Sequence, residues 1–197
     1  MKLFSIVIMT FLLLVSCTEK KEEATVPDSG EKNLFEEVKE QTIRNPNDAE
    51  AWYHLADLYE RSELYKEEIA ALKKVIAITP KNGNAYIKLG NACNRLGQYE
   101  EAIQYYKTAI KYFPKNPVLY NNLAVSYGKT KKVEEEISSL EKAISLRPRY
   151  ATARYNLGVA MLKKGRPDLA KNQYHELLKF DEGVAQSLKK EIDAKRK

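Results

Sequence analysis

The sequence predicts an all-α fold, a solenoid of helical hairpins. Three observations carry the prediction. Pro46, Pro80, Pro114 and Pro148 stand 34 residues apart, an interval that suits one helix–turn–helix unit and is too short for a domain. Residues read at that interval form rows of like chemistry, and within each repeat the rows share one helical face. Glycine (8) and proline (7) are scarce among 197 residues, while Ala, Leu, Lys and Glu abound, a bias that favours helix.

Hydrophobic residues make up 44% of the chain, enough for a packed core. A net charge of +6, from 33 basic and 27 acidic residues, is mild and is not the concentrated footprint of a nucleic-acid binder. The two cysteines, Cys17 and Cys93, make no disulfide framework.

The elements follow in order. Residues 1–16 have one cation, Lys2, and then an apolar run. The run is short for a spanning helix, which needs about 20 residues, and reads as a secretory signal. Leu14-Val15-Ser16-Cys17 resembles the bacterial lipobox. That resemblance implies cleavage before Cys17, which becomes the mature N-terminus and carries lipid. The next residue, Thr18, is not the aspartate of an inner-membrane retention signal, which favours the outer membrane. Residues 17–33 are Glu/Lys-rich and cannot bury enough surface to fold. They form a tether that spans on the order of 20 Å. Leu34, Phe35 and Val38 then mark an N-terminal capping helix within 34–48.

Four repeats follow, at 49–82, 83–116, 117–150 and 151–184. In the first half of each, the rows are Trp52, Tyr86, Tyr120 and Arg154; the four leucines 55, 89, 123 and 157; Ala56, Gly90, Ala124 and Gly158; and Tyr59, Cys93, Tyr127 and Met161. In the second half Leu72, Tyr106, Leu140 and Tyr174 form one row, and Ile76, Ile110, Ile144 and Leu178 another. Gly97, Gly165 or polar residues sit between the halves, as a turn requires. Val184, Leu188 and Ile192 give a one-faced helix that closes the array over 185–197.

These rows resemble the tetratricopeptide repeat, most fully at Tyr86, Leu89, Gly90, Cys93, Ala102, Tyr106, Ala109 and Pro114. The fourth repeat departs, with Arg154 for the aromatic and Glu182 for the proline. The resemblance implies a right-handed superhelix whose concave surface is lined by the first helix of each hairpin. It also marks a close helix crossing, occupied by Gly90 with Ala102 and Gly158 with Ala170, but by Ala56 with Glu68 and Ala124 with Glu136. A buried unpaired carboxylate is expensive. Repeats one and three are therefore expected to cross loosely with Glu68 and Glu136 leaning outward, or to let those side chains snorkel from a first helical turn.

Catalytic motifs are missing. His175-Glu176 begins like a zinc-protease helix, but Lys179 stands where the second histidine must be. Gly128-Lys129-Thr130 ends like a phosphate loop without its first glycine. No metal or cofactor set is expected, and Cys93 reads as an inert buried thiol.

Subtracting the packing rows leaves the concave face. Its candidates are Tyr53, His54 and Asp57; Lys88, Asn91, Asn94 and Arg95; Asn121, Asn122 and Lys129; and Tyr155, Asn156 and Lys163. Amides suit a peptide backbone, since each offers donor and acceptor. The row Arg61, Arg95, Lys129 and Lys163 is uniformly basic and suits an acidic partner, although cations also favour helix C-termini. Asn91 and Asn122 match two amide positions of the family's carboxylate clamp, but its cationic positions hold Ile87, Thr152 and Asn156. The expected function is a lipid-anchored adaptor of the bacterial envelope, binding a protein or peptide without catalysis. A structural oligomerisation module, its groove filled by a neighbouring subunit, is the alternative.

Overall fold

The computed structural model describes residues 29–195, with side chains from residue 33 onward. Cys17, the signal and most of the tether lie outside the described residues. Ten helices fill them: α1 (Ser29–Arg44), α2 (Ala49–Arg61), α3 (Tyr65–Ile78), α4 (Gly83–Arg95), α5 (Tyr99–Tyr112), α6 (Pro117–Lys129), α7 (Val133–Leu146), α8 (Ala151–Lys163), α9 (Pro167–Leu178) and α10 (Glu182–Ala194). Each packs on its neighbours in sequence. Further contacts of α4 with α6, α6 with α8 and α8 with α10 put alternate helices along one side.

Local chemistry sets the helix starts. Asp48, Asn82 and Asn116 occupy one 34-residue row, and each side chain accepts a backbone N–H of the helix it precedes. Such caps are worth about 1 kcal/mol apiece. Tyr150, next in the row, caps nothing with its side chain. The hairpin turns also keep register. Glu63, Gly97, Lys131 and Gly165 all have left-handed backbone, with φ of 57°, 75°, 60° and 75°. Repeats two and four meet this need with glycine; repeats one and three carry a strained side chain there.

The prolines have a direct structural role. The Trp52 indole, the Tyr86 and Tyr120 hydroxyls and the Arg154 Nε donate to the carbonyls of Pro46, Pro80, Pro114 and Pro148, at 3.0, 3.1, 3.0 and 2.8 Å. Each bond ties the start of a repeat to the loop before it. Arg154 therefore replaces an aromatic residue without losing the tie.

The core divides at α6. Leu119, Leu123 and Tyr127 join the first cluster, built from α2 to α6, while Ala124 joins the second, which runs to α10. Size is balanced within repeats. A Cβ on Gly90 would lie 2.6 Å from the buried Tyr106 ring, so glycine makes room for tyrosine. Ala56 and Ala124 share their hairpins with the smaller Leu72 and Leu140, all four fully buried.

The ends differ from the sequence boundaries. α1 begins at Ser29, five residues before the apolar positions, because Glu and Lys are good helix formers and extend the helix. α9 has 12 residues where α3, α5 and α7 have 14. Asp181 then caps Val184, and α10 starts at Glu182, three residues ahead of the repeat register. Leu188 of α10 packs where a Gly158 side chain would stand.

Glu68 and Glu136 do not lean outward as the sequence led one to expect. Their exposures are 1% and 5%. Neither leans outward nor snorkels. Glu136 is accommodated because Gly128 opposite it has no side chain; a Cβ there would lie 2.6 Å from Oε1.

Candidate functional site

α2, α4, α6, α8 and α10 line a face with two hollows, and a third lies beside α1. The central hollow, about 490 Å³, is bounded by Glu60, Asn91, Asn94, Arg95, Tyr106, Asn122 and Val125. The second, about 400 Å³, lies between α6, α8 and α10 and includes Val125, Lys129, Tyr155, Asn156, Val159, Lys163 and Glu191. The third, at α1 and α2, holds Leu34, Val38, His54, Asp57, Leu58 and Arg61.

The central amides are locked together. The Tyr106 hydroxyl donates to Asn91 Oδ1 at 2.8 Å, and Asn122 Nδ2 donates to the same oxygen at 3.3 Å. Asn94 Nδ2 donates to Tyr106 Oη at 3.1 Å, and Ser126 Oγ donates to Asn94 Oδ1 at 2.8 Å. Asn156 Nδ2 donates to Asn121 Oδ1 at 3.0 Å, and Asn121 Nδ2 reaches Asn122 Oδ1 at 3.4 Å. Every amide oxygen of Asn91, Asn94, Asn121 and Asn122 thus already accepts from inside, and that of Asn91 accepts twice. The unused donors are N–H groups, two on Asn91 and one each on Asn94 and Asn122. Burial raises the Tyr106 hydroxyl above the usual phenol range, so it stays a neutral donor.

The cations are unevenly used. Lys88 lies 2.8 Å from Asp57 Oδ1, contacts Glu60 and sits 5.8 Å over the Tyr53 ring. Burial pulls its ammonium down, but the carboxylates of Asp57 and Glu60 outweigh that and hold it raised. The Asp57 contact is one of charge: no aligned hydrogen bond reaches this buried oxygen. Arg95 stacks on Tyr65 at 5.5 Å and reaches its hydroxyl at 3.4 Å. Lys163 donates to Glu136 Oε1 at 3.0 Å. Two of the four basic-row cations, Arg95 and Lys163, are therefore engaged within the protein. Arg61 and Lys129 are exposed.

The sequence candidates divide accordingly. Asn91, Asn94, Arg95 and Asn122 meet in the central hollow, and Lys129, Tyr155, Asn156 and Lys163 in the second. His54 and Asp57 lie apart from these, at the α1 end. Asn121 is 5% exposed and serves as a link in the amide chain. Tyr53 and Lys88 line none of the three hollows. Sequence reasoning missed Val125 and Val159, though both continue the 34-residue row of Asp57 and Asn91. It also missed Glu60, Tyr106, Glu136 and Glu191, which extend the lining beyond the chosen rows. Among the described residues, no cluster of His, Cys, Asp and Glu could hold a metal ion, and no helix is long and apolar enough to cross a membrane. Cys93 is buried, and burial followed by Glu101 raises its thiol to about 11.

Sequence profiles of the tetratricopeptide repeat match residues 49–82, 71–104 and 152–180, and a TPR repeat profile matches 90–131 and 129–165. The chain belongs to the tetratricopeptide repeat family. Solved structures superpose on most of it. A MamA crystal structure is 25% identical, covers 82% of this chain and 99% of its own, and gives a TM-score of 0.74. YrrB, described as a TPR protein with an unusual peptide-binding site, is 20% identical over 82% of this chain and 84% of its own, with a TM-score of 0.74. PilW, described as a type IV pilus biogenesis factor, is 15% identical over 84% of this chain and 78% of its own, with a TM-score of 0.68. No curated protein sequence matches the chain. Tetratricopeptide domains bind proteins and peptides as scaffolds, typically without catalysis.

Proposed function

We propose that this tetratricopeptide protein is an adaptor, tethered to the bacterial outer membrane through a lipid on Cys17, that holds a partner's peptide segment along α4, α6 and α8. The amide chain carries the reading. Its members are oriented before any ligand arrives, which lowers the cost of ordering the site. Its unused N–H groups suit carbonyls and carboxylates, and Lys129 adds positive charge beside them. Val125 and Val159 give the segment apolar contact at the α6 and α8 end. YrrB, of the same fold, offers a precedent for peptide binding. The envelope setting rests on the lipobox-like Leu14–Cys17, and the process served is assembly of envelope machinery.

Two measurements test this. Photocrosslinking from the central hollow should capture a partner in membranes, and Asn91→Ala with Asn122→Ala should abolish the capture. An unchanged capture set places binding elsewhere. Cys17→Ser should leave the precursor unprocessed or release it from membranes; normal processing and retention would refute the lipid anchor. A mass that rises with concentration, with the hollows protected in the assembly, would instead favour an oligomerisation module.

A further inference from the structure

Glu68 and Glu136 occupy the same position two repeats apart, and only one has a partner. Glu136 receives Lys163, 27 residues ahead. The residue 27 ahead of Glu68 is Arg95, and it lies on Tyr65 instead. The cause is visible in the register: the position of Tyr65 holds Val133 in repeat three, which offers neither ring nor hydroxyl. Among the described residues, no ion pair or hydrogen bond reaches the Glu68 carboxylate, although it is 1% exposed. Two more carboxylates flank it. Asp57 and Glu60 share the single ammonium of Lys88, and Asp57 Oδ1 is buried without an aligned donor. Glu60 is 43% exposed and opens on the central hollow beside Asn91. The notch between α2, α3 and α4 thus holds three carboxylates; Lys88 pairs with two of them, and Arg95 lies near enough to act on Glu68 but is bonded to Tyr65. Burial, then Glu60, pushes Glu68 up to about 7, while Lys88 and Arg95 pull it back in part.

We propose that this notch is a subsite for a cationic side chain, Lys or Arg, carried by the segment that the amide chain binds. Lys163 shows in the second hollow what the missing group does: an ammonium set against the buried glutamate from the groove side. The incoming cation would neutralise Glu60 and Glu68 together. Its neighbours on the segment would meet the N–H donors of Asn91 and Asn122. The groove therefore selects a segment of mixed charge, with its cation toward α2 and its acceptors toward α6. This inference rests on the adaptor reading and adds partner chemistry and direction to it.

A displayed library of random dodecapeptides, selected on the full chain, tests the subsite. Selected peptides should be enriched in Lys or Arg at one position, and replacing that residue by Gln should weaken binding about tenfold. In Glu68→Gln, which keeps the side-chain shape, the tenfold preference should collapse. It should also collapse in Tyr65→Val, where Arg95 is free to turn to Glu68 while net charge stays constant. A cation preference that survives both variants, or no cation enrichment at all, overturns the subsite. If Asn91→Ala with Asn122→Ala leaves every selected peptide bound, the groove reading fails and the subsite falls with it.

Discussion

Repeats one and three present the same glutamate at the same crossing, yet the two carboxylates live differently. Glu136 is buried against Lys163 with Gly128 opposite. Glu68 is buried against Asp57 and Glu60, with Arg95 turned away. The difference arises one turn earlier in the helix, where Tyr65 faces Val133 in the alignment of repeats. A residue's position in a repeat fixes its burial, but its charge environment depends on which neighbour competes for the cation.

The largest effect should come from removing the pairing. Lys163→Met leaves Glu136 buried and alone, and should cost about 2–3 kcal/mol near neutral pH in chemical denaturation. A loss below roughly 0.5 kcal/mol would mean the pair is a surface contact only. Next comes Glu68. Its folded pKa of about 7 lies above the ordinary 4.5. Between those values the folded state holds more protons than the unfolded state, so stability falls as pH rises through that window. Glu68→Gln should remove the slope and add about 2 kcal/mol at pH values above about 7. Identical urea midpoints at acid and alkaline pH in the wild type would contradict the burial cost.

Tyr65→Val makes repeat one resemble repeat three. It should recover about 1 kcal/mol at neutral pH by letting Arg95 meet Glu68, and should flatten the pH dependence. The smallest effect is a control. Glu63→Gly and Lys131→Gly relieve the same left-handed turn in both repeats, and each should raise stability by about 0.5 kcal/mol. Unequal gains would show that the two hairpins differ beyond their crossings.

Much of the fold was legible because hairpin packing is periodic. The proline interval marks one contact made four times, and the leucine and small-residue rows mark positions buried in every repeat. The 34-residue register also led to the amides of the central hollow, since a first helix must turn its non-packing face outward. Contacts between repeats were not legible. No pattern in one row says that Arg95 will choose Tyr65 while Lys163 chooses Glu136, because each choice depends on a third residue. The burial of both glutamates was misjudged for the same reason: Gly128, which makes room for one, belongs to another row. Asn121 looked like a surface amide because its partner Asn156 lies in the following repeat.

The turns and crossings alternate along the chain. Glycine at positions 97 and 165 is matched by glycine at 90 and 158, and by tyrosine at 106 and 174. The odd repeats use Glu63 and Lys131, then alanine and leucine. This has a consequence for how such a gene can be recombined. The first two hairpins can be exchanged whole with the match of Ala56 to Leu72 and of Gly90 to Tyr106 intact, whereas the fourth needs α10, because Leu188 fills the space at Gly158. A crossover between the two helices of a hairpin does not keep that match: joining α2 to α5 would set the Ala56 methyl against the Tyr106 ring, and joining α4 to α3 would leave Gly90 facing a leucine across a void. The permitted breakpoints lie in the loops that contain the prolines.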